Sequence, residues 1–105
     1  SPMREFLYVD DLADACVHLM NVYDDPQNIV NVGTGTDITI RELTETIASV
    51  VGYTGAIEWD TSKPNGTMRK VMDVSRVNDL GWKASTDIRE GIELAYQWFK
   101  DNVIV

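Results

Sequence analysis

Apolar residues recur at spacings of three and four in three stretches of the chain, and each stretch predicts a helix with one buried face. In the first, Leu12, Ala15, Cys16, Leu19 and Met20 form the stripe. Asp10 stands just before it as the expected N-cap, and Asp11 and Asp14 fall in the first turns, where the helix dipole favours anions. Pro26 in "YDDPQN" is the expected stop, because proline lacks an N–H and restricts the residue before it. The second stretch carries Ile40, Leu43, Ile47, Val50 and Val51, opens on a capping box of Thr39 with Glu42, and closes at Gly52. The third carries Ile88, Ile92, Ala95, Tyr96 and Phe99 to about Asn102, behind a second box of Asp87 with Glu90.

Between the helices the pattern shortens. Phe6 to Val9 reads as a short strand or extended segment. Ile29, Val30 and Val32 read as a strand that turns at Gly33 and Gly35, and Ile57 with Trp59 as another. Lys70 to Met72 reads as extended. Asp73 then caps a short helix carrying Val74, Val77 and Leu80, which Gly81 ends. Three helices, one short helix and two or three short strands predict a small mixed α/β unit, with helices covering at least one face of a small sheet. That architecture suits a lobe packed on a larger domain. The opening "SPMREFLYV" runs almost at once into the apolar segment, so the expectation is a piece of a longer chain, or a processed or tagged short protein.

Composition narrows the function classes. The chain has 105 residues, 44% hydrophobic and 25% charged, which is the make-up of a folded globular domain and not of a disordered segment. No apolar run is long enough for a transmembrane helix, and no signal-peptide pattern opens the chain. One cysteine, Cys16, excludes an internal disulfide and fits a reducing compartment, so a cytoplasmic location is expected. Nine basic against seventeen acidic residues give a net charge of -8, which argues against a nucleic-acid backbone as partner.

One stretch runs against that charge. "SKPNGTMRK", Ser62 to Lys70, places Lys63, Arg69 and Lys70 around a Pro-Asn-Gly turn with no acid among them. With Arg4, it supplies two separated cationic elements. A diphosphate needs both charge neutralisation and a planar guanidinium fork. A solvated loop explains the same residues. "GTG" at Gly33 to Gly35 lacks the third glycine of a dinucleotide fingerprint, Ile38 standing in its place, and Asp37 adds negative charge, so a tight turn is the expectation there. His18, the single histidine, is expected to take a partly exposed polar role on the first helix, and it supports neither a zinc set nor a catalytic triad. Cys16, on the apolar stripe, is expected to be buried and unreactive. The paired acids Asp10–Asp11 and Asp24–Asp25 read as caps and loop solvation, and no metal site is expected. Trp59, Trp82 and Trp98 read as core or interface.

Four stretches, "PMREFLYVDDLADAC", "NVGTGTDITIRELTETIASVVGYTG", "WDTSKPNGTMRKVMDVSRVNDLGW" and "YQWFKDN", together resemble the C-terminal part of the GDP-L-fucose synthases, a branch of the extended short-chain dehydrogenase/reductase family. "REFLYVDD" is shared by many extended members that act on nucleotide sugars, whereas "SKPNGTMRK" after "NVGTG" is far more specific to this branch. The resemblance implies that residues 1–105 form one nucleotide-sugar-binding domain, with the Rossmann domain, its NADP(H) and the catalytic groups outside this stretch. The full protein would convert GDP-4-keto-6-deoxy-mannose to GDP-L-fucose by 3,5-epimerisation and NADPH-dependent 4-reduction. Its partners would be the GDP-sugar, its own N-terminal Rossmann domain and a second copy in a homodimer.

The resemblance also assigns residues. Arg4 would reach the diphosphate, Lys70 and Arg69 would add phosphate-side charge, and Asn65 would lie near the nucleotide, in a place where relatives often carry Asp. Met68 stands where proline is common. No catalytic, cofactor or metal residue is expected within the stretch, and alone it should be inactive. The same domain of another nucleotide-sugar epimerase, reductase or dehydratase is the alternative, as is a stand-alone binding module.

Overall fold

Two of the three long helices form where the apolar periodicity and the capping residues agree. In a computed structural model describing residues 2–25, 28–64 and 66–103, α2 spans Ile40–Val51 and α4 spans Ile88–Asn102. Thr39 and Glu42 complete the reciprocal capping box: the Thr39 hydroxyl accepts from Glu42 N at 3.0 Å and Glu42 Oε1 accepts from Thr39 N. Gly52 closes α2 in the left-handed conformation at φ 79°, where a Cβ would be strained. Asp87 caps α4 by accepting from Glu90 N at 2.8 Å. The two helices pack on each other, and Arg89 of α4 donates to Ser49 Oγ of α2. The predicted stop Pro26, the site candidate Asn65 and the tail residues Ile104 and Val105 lie outside the described residues.

The first helix, α1 (Val9–Val22), departs from expectation in both start and register. It opens at Val9 with Tyr8 at the N-cap, so Asp10 is a first-turn residue and not the cap. Phe6 to Tyr8 is irregular backbone, not a strand. The buried side of α1 is Asp11 and Ala15, with His18 and Leu19 half-buried, whereas Leu12, Cys16 and Met20 face outward. The reason is a set of polar anchors. Asp14 Oδ2 accepts from Trp82 Nε1 at 2.9 Å, His18 Nε2 meets the Leu80 carbonyl at 2.7 Å, and Asp11 bonds the loop before α4. These contacts rotate the helix so that Ala15 faces Val77 and Trp82, the core of the chain.

Leu7, Leu19, Val30, Val32, Val74 and Ala84 pack around that core. Val30 and Val32 do so from irregular backbone, so the strand expected there is absent, as is the one at Ile57 and Trp59. The short helix α3 (Ser75–Asp79) is present, with Val77 wholly buried. Asp73 bonds Ser75 N at 3.0 Å from just outside it, the N-cap position itself being Val74.

The sheet is small: β1 (Met3–Arg4), β2 (Ile38–Thr39) and β3 (Arg69–Lys70), in the order β2-β1-β3. β1 runs antiparallel to β2 and parallel to β3. The mixed α/β class is borne out. Among the described residues no helix is long and apolar enough to cross a membrane. The chain exposes 7755 Å², against roughly 5,900 Å² expected for a compact monomer of its mass. Its radius of gyration, 16.5 Å, likewise exceeds the ~13 Å of a compact domain this long.

Candidate functional site

The sheet register brings two of the four candidate cations and amides together. Arg4 on β1 is the register partner of Lys70 on β3 and of Ile38 on β2. Register partners project to the same face of a sheet, so Arg4 and Lys70 stand side by side there. The Arg4 guanidinium also donates to Met3 O at 2.7 Å, and a side chain at Gly66 would begin 3.5 Å from its Nη2. Gly66 of the basic turn therefore lies close to Arg4.

Arg69 is one residue from Lys70 and projects to the other face. Its fork holds Asp37, Nε to Oδ2 at 2.8 Å and Nη2 to Oδ1 at 3.4 Å. The Asp37 side chain is almost wholly buried while the Arg69 side chain is 66% exposed, so the arginine covers the carboxylate. The structure thus separates Arg69 from the Arg4–Lys70 pair. Lys63 lies apart as well, in a cavity of about 410 Å³ with Pro2, Arg41, Trp59 and Asp60. There the Arg41 guanidinium sits 5.2 Å from the Trp59 ring centroid. Asp60 is held below its ordinary carboxylate range by the side-chain hydrogen bond from Ser62 and then by the Ser62 amide.

The glycine loop after Val32 is engaged by the chain itself. Glu5 Oε2 accepts from Gly35 N at 2.6 Å and from Thr34 Oγ1 at 3.3 Å, and Oε1 accepts from Met72 N at 3.0 Å. A Cβ on Gly33 would lie 2.6 Å from Glu5 Oε2, so a side chain at that position would displace the carboxylate. The loop's donors that suggest an anion are turned onto a carboxylate of the same chain. They do not form a pyrophosphate cradle.

Beside Arg4 opens a cavity of about 340 Å³, bounded by Phe6, Thr34, Thr36 and the segment Ala84 to Ile88. Asp11 fixes that segment. Its Oδ2 accepts from Thr86 N at 2.9 Å and Ser85 N at 3.3 Å, and its Oδ1 from Thr86 Oγ1 at 3.0 Å and Ser85 Oγ at 3.3 Å. Sequence reasoning treated Asp11 as a first-turn acid and did not single out Glu5 at all. The available signal for Asp11 was its place four residues before Ala15 and seven before His18, on one helix face. For Glu5, flanked by Arg4 and Phe6, no periodic signal exists.

His18 takes the partly exposed polar role expected of it. Cys16 does not: it is exposed, because the stripe that carries it faces away from the core. Trp82 is core, while Trp59 and Trp98 are exposed. Among the described residues no group of three or more His, Cys, Asp or Glu side chains could hold a metal ion.

Comparison with known proteins places these features in context. Residues 1–33 match the model of the NAD dependent epimerase/dehydratase family. The chain is 50% identical to the putative GDP-L-fucose synthase 2 of Arabidopsis thaliana over 104 residues, 99% of this chain and 31% of that protein. It is 48% identical to the GDP-L-fucose synthase of Escherichia coli K12 over 110 residues, 97% of this chain and 34% of that one. Among solved structures, the NADP-bound GDP-mannoheptose C4 reductase of Campylobacter jejuni superposes with a TM-score of 0.82 at 36% identity. That match covers 94% of this chain and 32% of the reductase. The likeness to the GDP-L-fucose synthases read from the motifs is borne out, and the chain spans about a third of the length of the curated relatives it matches.

Proposed function

We propose that this chain is the substrate-gripping third of a GDP-L-fucose synthase, a protein that epimerises C3 and C5 of GDP-4-keto-6-deoxy-mannose and reduces C4 with NADPH. Residues 1–105 act as one domain whose task is to hold the nucleotide diphosphate, so that groups elsewhere in the parent meet the sugar in a fixed orientation. The observation that carries the reading is the register pairing of Arg4 with Lys70 on one sheet face, next to the cavity bounded by Thr34, Thr36 and Thr86. Arg4 and Lys70 stand on adjacent strands, about 5 Å apart across the ladder, so a guanidinium and an ammonium can approach one diphosphate from the same face.

NADP(H) is assigned to the remaining two thirds of the parent. The glycine loop of this chain, occupied by the Glu5 carboxylate, does not fit a dinucleotide. The isolated chain is accordingly expected to show no NADPH oxidation with the keto sugar nucleotide. The parent is read as a cytoplasmic homodimer. Asn65 is assigned a role near the nucleotide on the resemblance alone, and Arg69 an indirect one through its hold on Asp37.

Calorimetric titration of the full-length protein with GDP and with guanosine tests the grip. Arg4→Ala and Lys70→Ala should each weaken GDP binding about tenfold or somewhat more, since a hydrogen bond to a charged group contributes roughly 1.5–3 kcal/mol. Guanosine binding should hardly change. Arg4→Lys should recover part of the loss, because an ammonium supplies charge without the fork. Lys63→Ala, in the other cavity, is the control. Equal and negligible effects of all four substitutions on GDP would leave the basic turn a solvated loop.

A further inference from the structure

We propose that Glu5 is a positioning residue for the Arg4–Lys70 pair: its carboxylate ties β1 to the backbone on both sides and so fixes the separation at which the two cations meet an anion. The inference rests on the reading of that pair as the diphosphate grip.

β1 and β3 are each two residues long. Ladders that short hold register weakly by themselves, and a slip of one residue would send Lys70 to the opposite face from Arg4. The structure brackets the pair at its two ends. Before it, Met3 N donates to Met68 O at 2.8 Å. Beyond it, Glu5 Oε1 accepts from Met72 N at 3.0 Å, two residues after Lys70. The other oxygen reaches the opposite side of β1, to Gly35 N at 2.6 Å, and so anchors the loop that leads into β2. Each oxygen serves one side of β1, Oε2 the Thr34–Gly35 loop and Oε1 Met72, so both are needed to hold β1 between them. Gly33 leaves the space that the carboxylate occupies.

The sign of the effect separates positioning from simple charge. A carboxylate next to Arg4 repels a diphosphate, so if Glu5 had no positioning role its neutralisation would tighten GDP binding. Positioning predicts the reverse. Glu5→Gln keeps the shape but has one acceptor oxygen, and its NH2 group would face an N–H on the side it occupies.

The experiment is a double-mutant cycle in the full-length protein, read by calorimetric titration with GDP. Glu5→Gln should weaken GDP binding roughly five- to tenfold, and should have almost no further effect in a Lys70→Ala background, where no partner remains to be positioned. Gly33→Ala, which keeps the charge and displaces the carboxylate, repeats the cycle independently and should behave alike. A structural role without positioning would give the same penalty in both backgrounds, and that result overturns the proposal, as does tightened or unchanged GDP binding in Glu5→Gln. Lys70→Ala and Arg4→Ala that leave GDP binding intact overturn the grip itself. Large effects of these two with an additive Glu5→Gln overturn only the role of Glu5.

Discussion

Replacing Asp11 by alanine tests the claim that a buried carboxylate, not an apolar stripe, sets the register of α1. Asp11 accepts four hydrogen bonds from Ser85 and Thr86, and the two at 2.9 and 3.0 Å from Thr86 are the strongest by geometry. Bonds to a charged acceptor contribute roughly 1.5–3 kcal/mol each, so the Thr86 pair accounts for about 3–5 kcal/mol once the freed hydroxyl turns to water. The Ser85 bonds at 3.3 Å add less, and the lost first-turn charge adds a few tenths through the helix dipole. Against the ~5–15 kcal/mol that stabilises an ordinary domain, Asp11→Ala removes a fifth or more. Asp11→Asn keeps one acceptor oxygen and should lose about half as much. Urea unfolding, with the slope checked for two-state behaviour, gives both values. A cost below about 1 kcal/mol for Asp11→Ala would show that the Ala15–Val77–Trp82 core holds the register without the carboxylate.

Cys16 should react with a thiol reagent in the isolated chain at close to its denatured rate, since the residue is exposed; strong protection of the folded chain would contradict the register of α1. Thr39→Ala should cost about 1 kcal/mol by removing the hydroxyl half of the capping box, measurable as a shifted unfolding midpoint, and no shift would mean that α2 is held by packing alone. Asp60 and Asp73 are held low in the folded chain, Asp60 chiefly by the Ser62 side chain and Asp73 chiefly by the Ser75 backbone N–H. A carboxyl depressed on folding stabilises above its unfolded value and loses that contribution as pH falls through its folded value, so both contributions are full above about pH 4 and are lost below it. Ser62→Ala should move the Asp60 titration upward by NMR and leave Asp73 in place.

The parts of this fold that were legible in the sequence are those where one residue type does one local job. Thr39 with Glu42, Gly52 and Asp87 could be read directly because a cap acts within its own turn. The sheet could not be read that way. Two-residue strands show no alternation, and β1 lies at Met3–Arg4, ahead of the apolar run that attracted the strand assignment. That run bends from β1 into α1, and its Leu7 packs on the core without strand geometry. The candidate site was half legible. Arg4 and Lys70 stood out as cations on an acidic chain, but nothing local shows that Arg69, one position from Lys70, is committed to Asp37. Long-range polar pairs such as Glu5 with Met72 leave no period to detect.

The misread face of α1 and the surplus surface of the chain have one physical explanation. Val9, Leu12, Cys16, Val17 and Met20 recur at helical spacing, so the sequence does encode an apolar face. The chain buries a different one, and this stripe remains in solvent with Met20 84% exposed. An apolar helix face with no partner is unfavourable by about 25 cal/mol for each Å² left in water. The chain exposes roughly 1,800 Å² more surface, polar and apolar together, than a compact monomer of its mass. A standard stable interface covers about 800 Å² on each partner, so that surplus is more than enough to supply one. Under the proposed reading it belongs against the other two thirds of the parent. The periodicity then records a helix shared between two bodies: Asp11, Ala15 and His18 address this one, and the apolar stripe addresses the other.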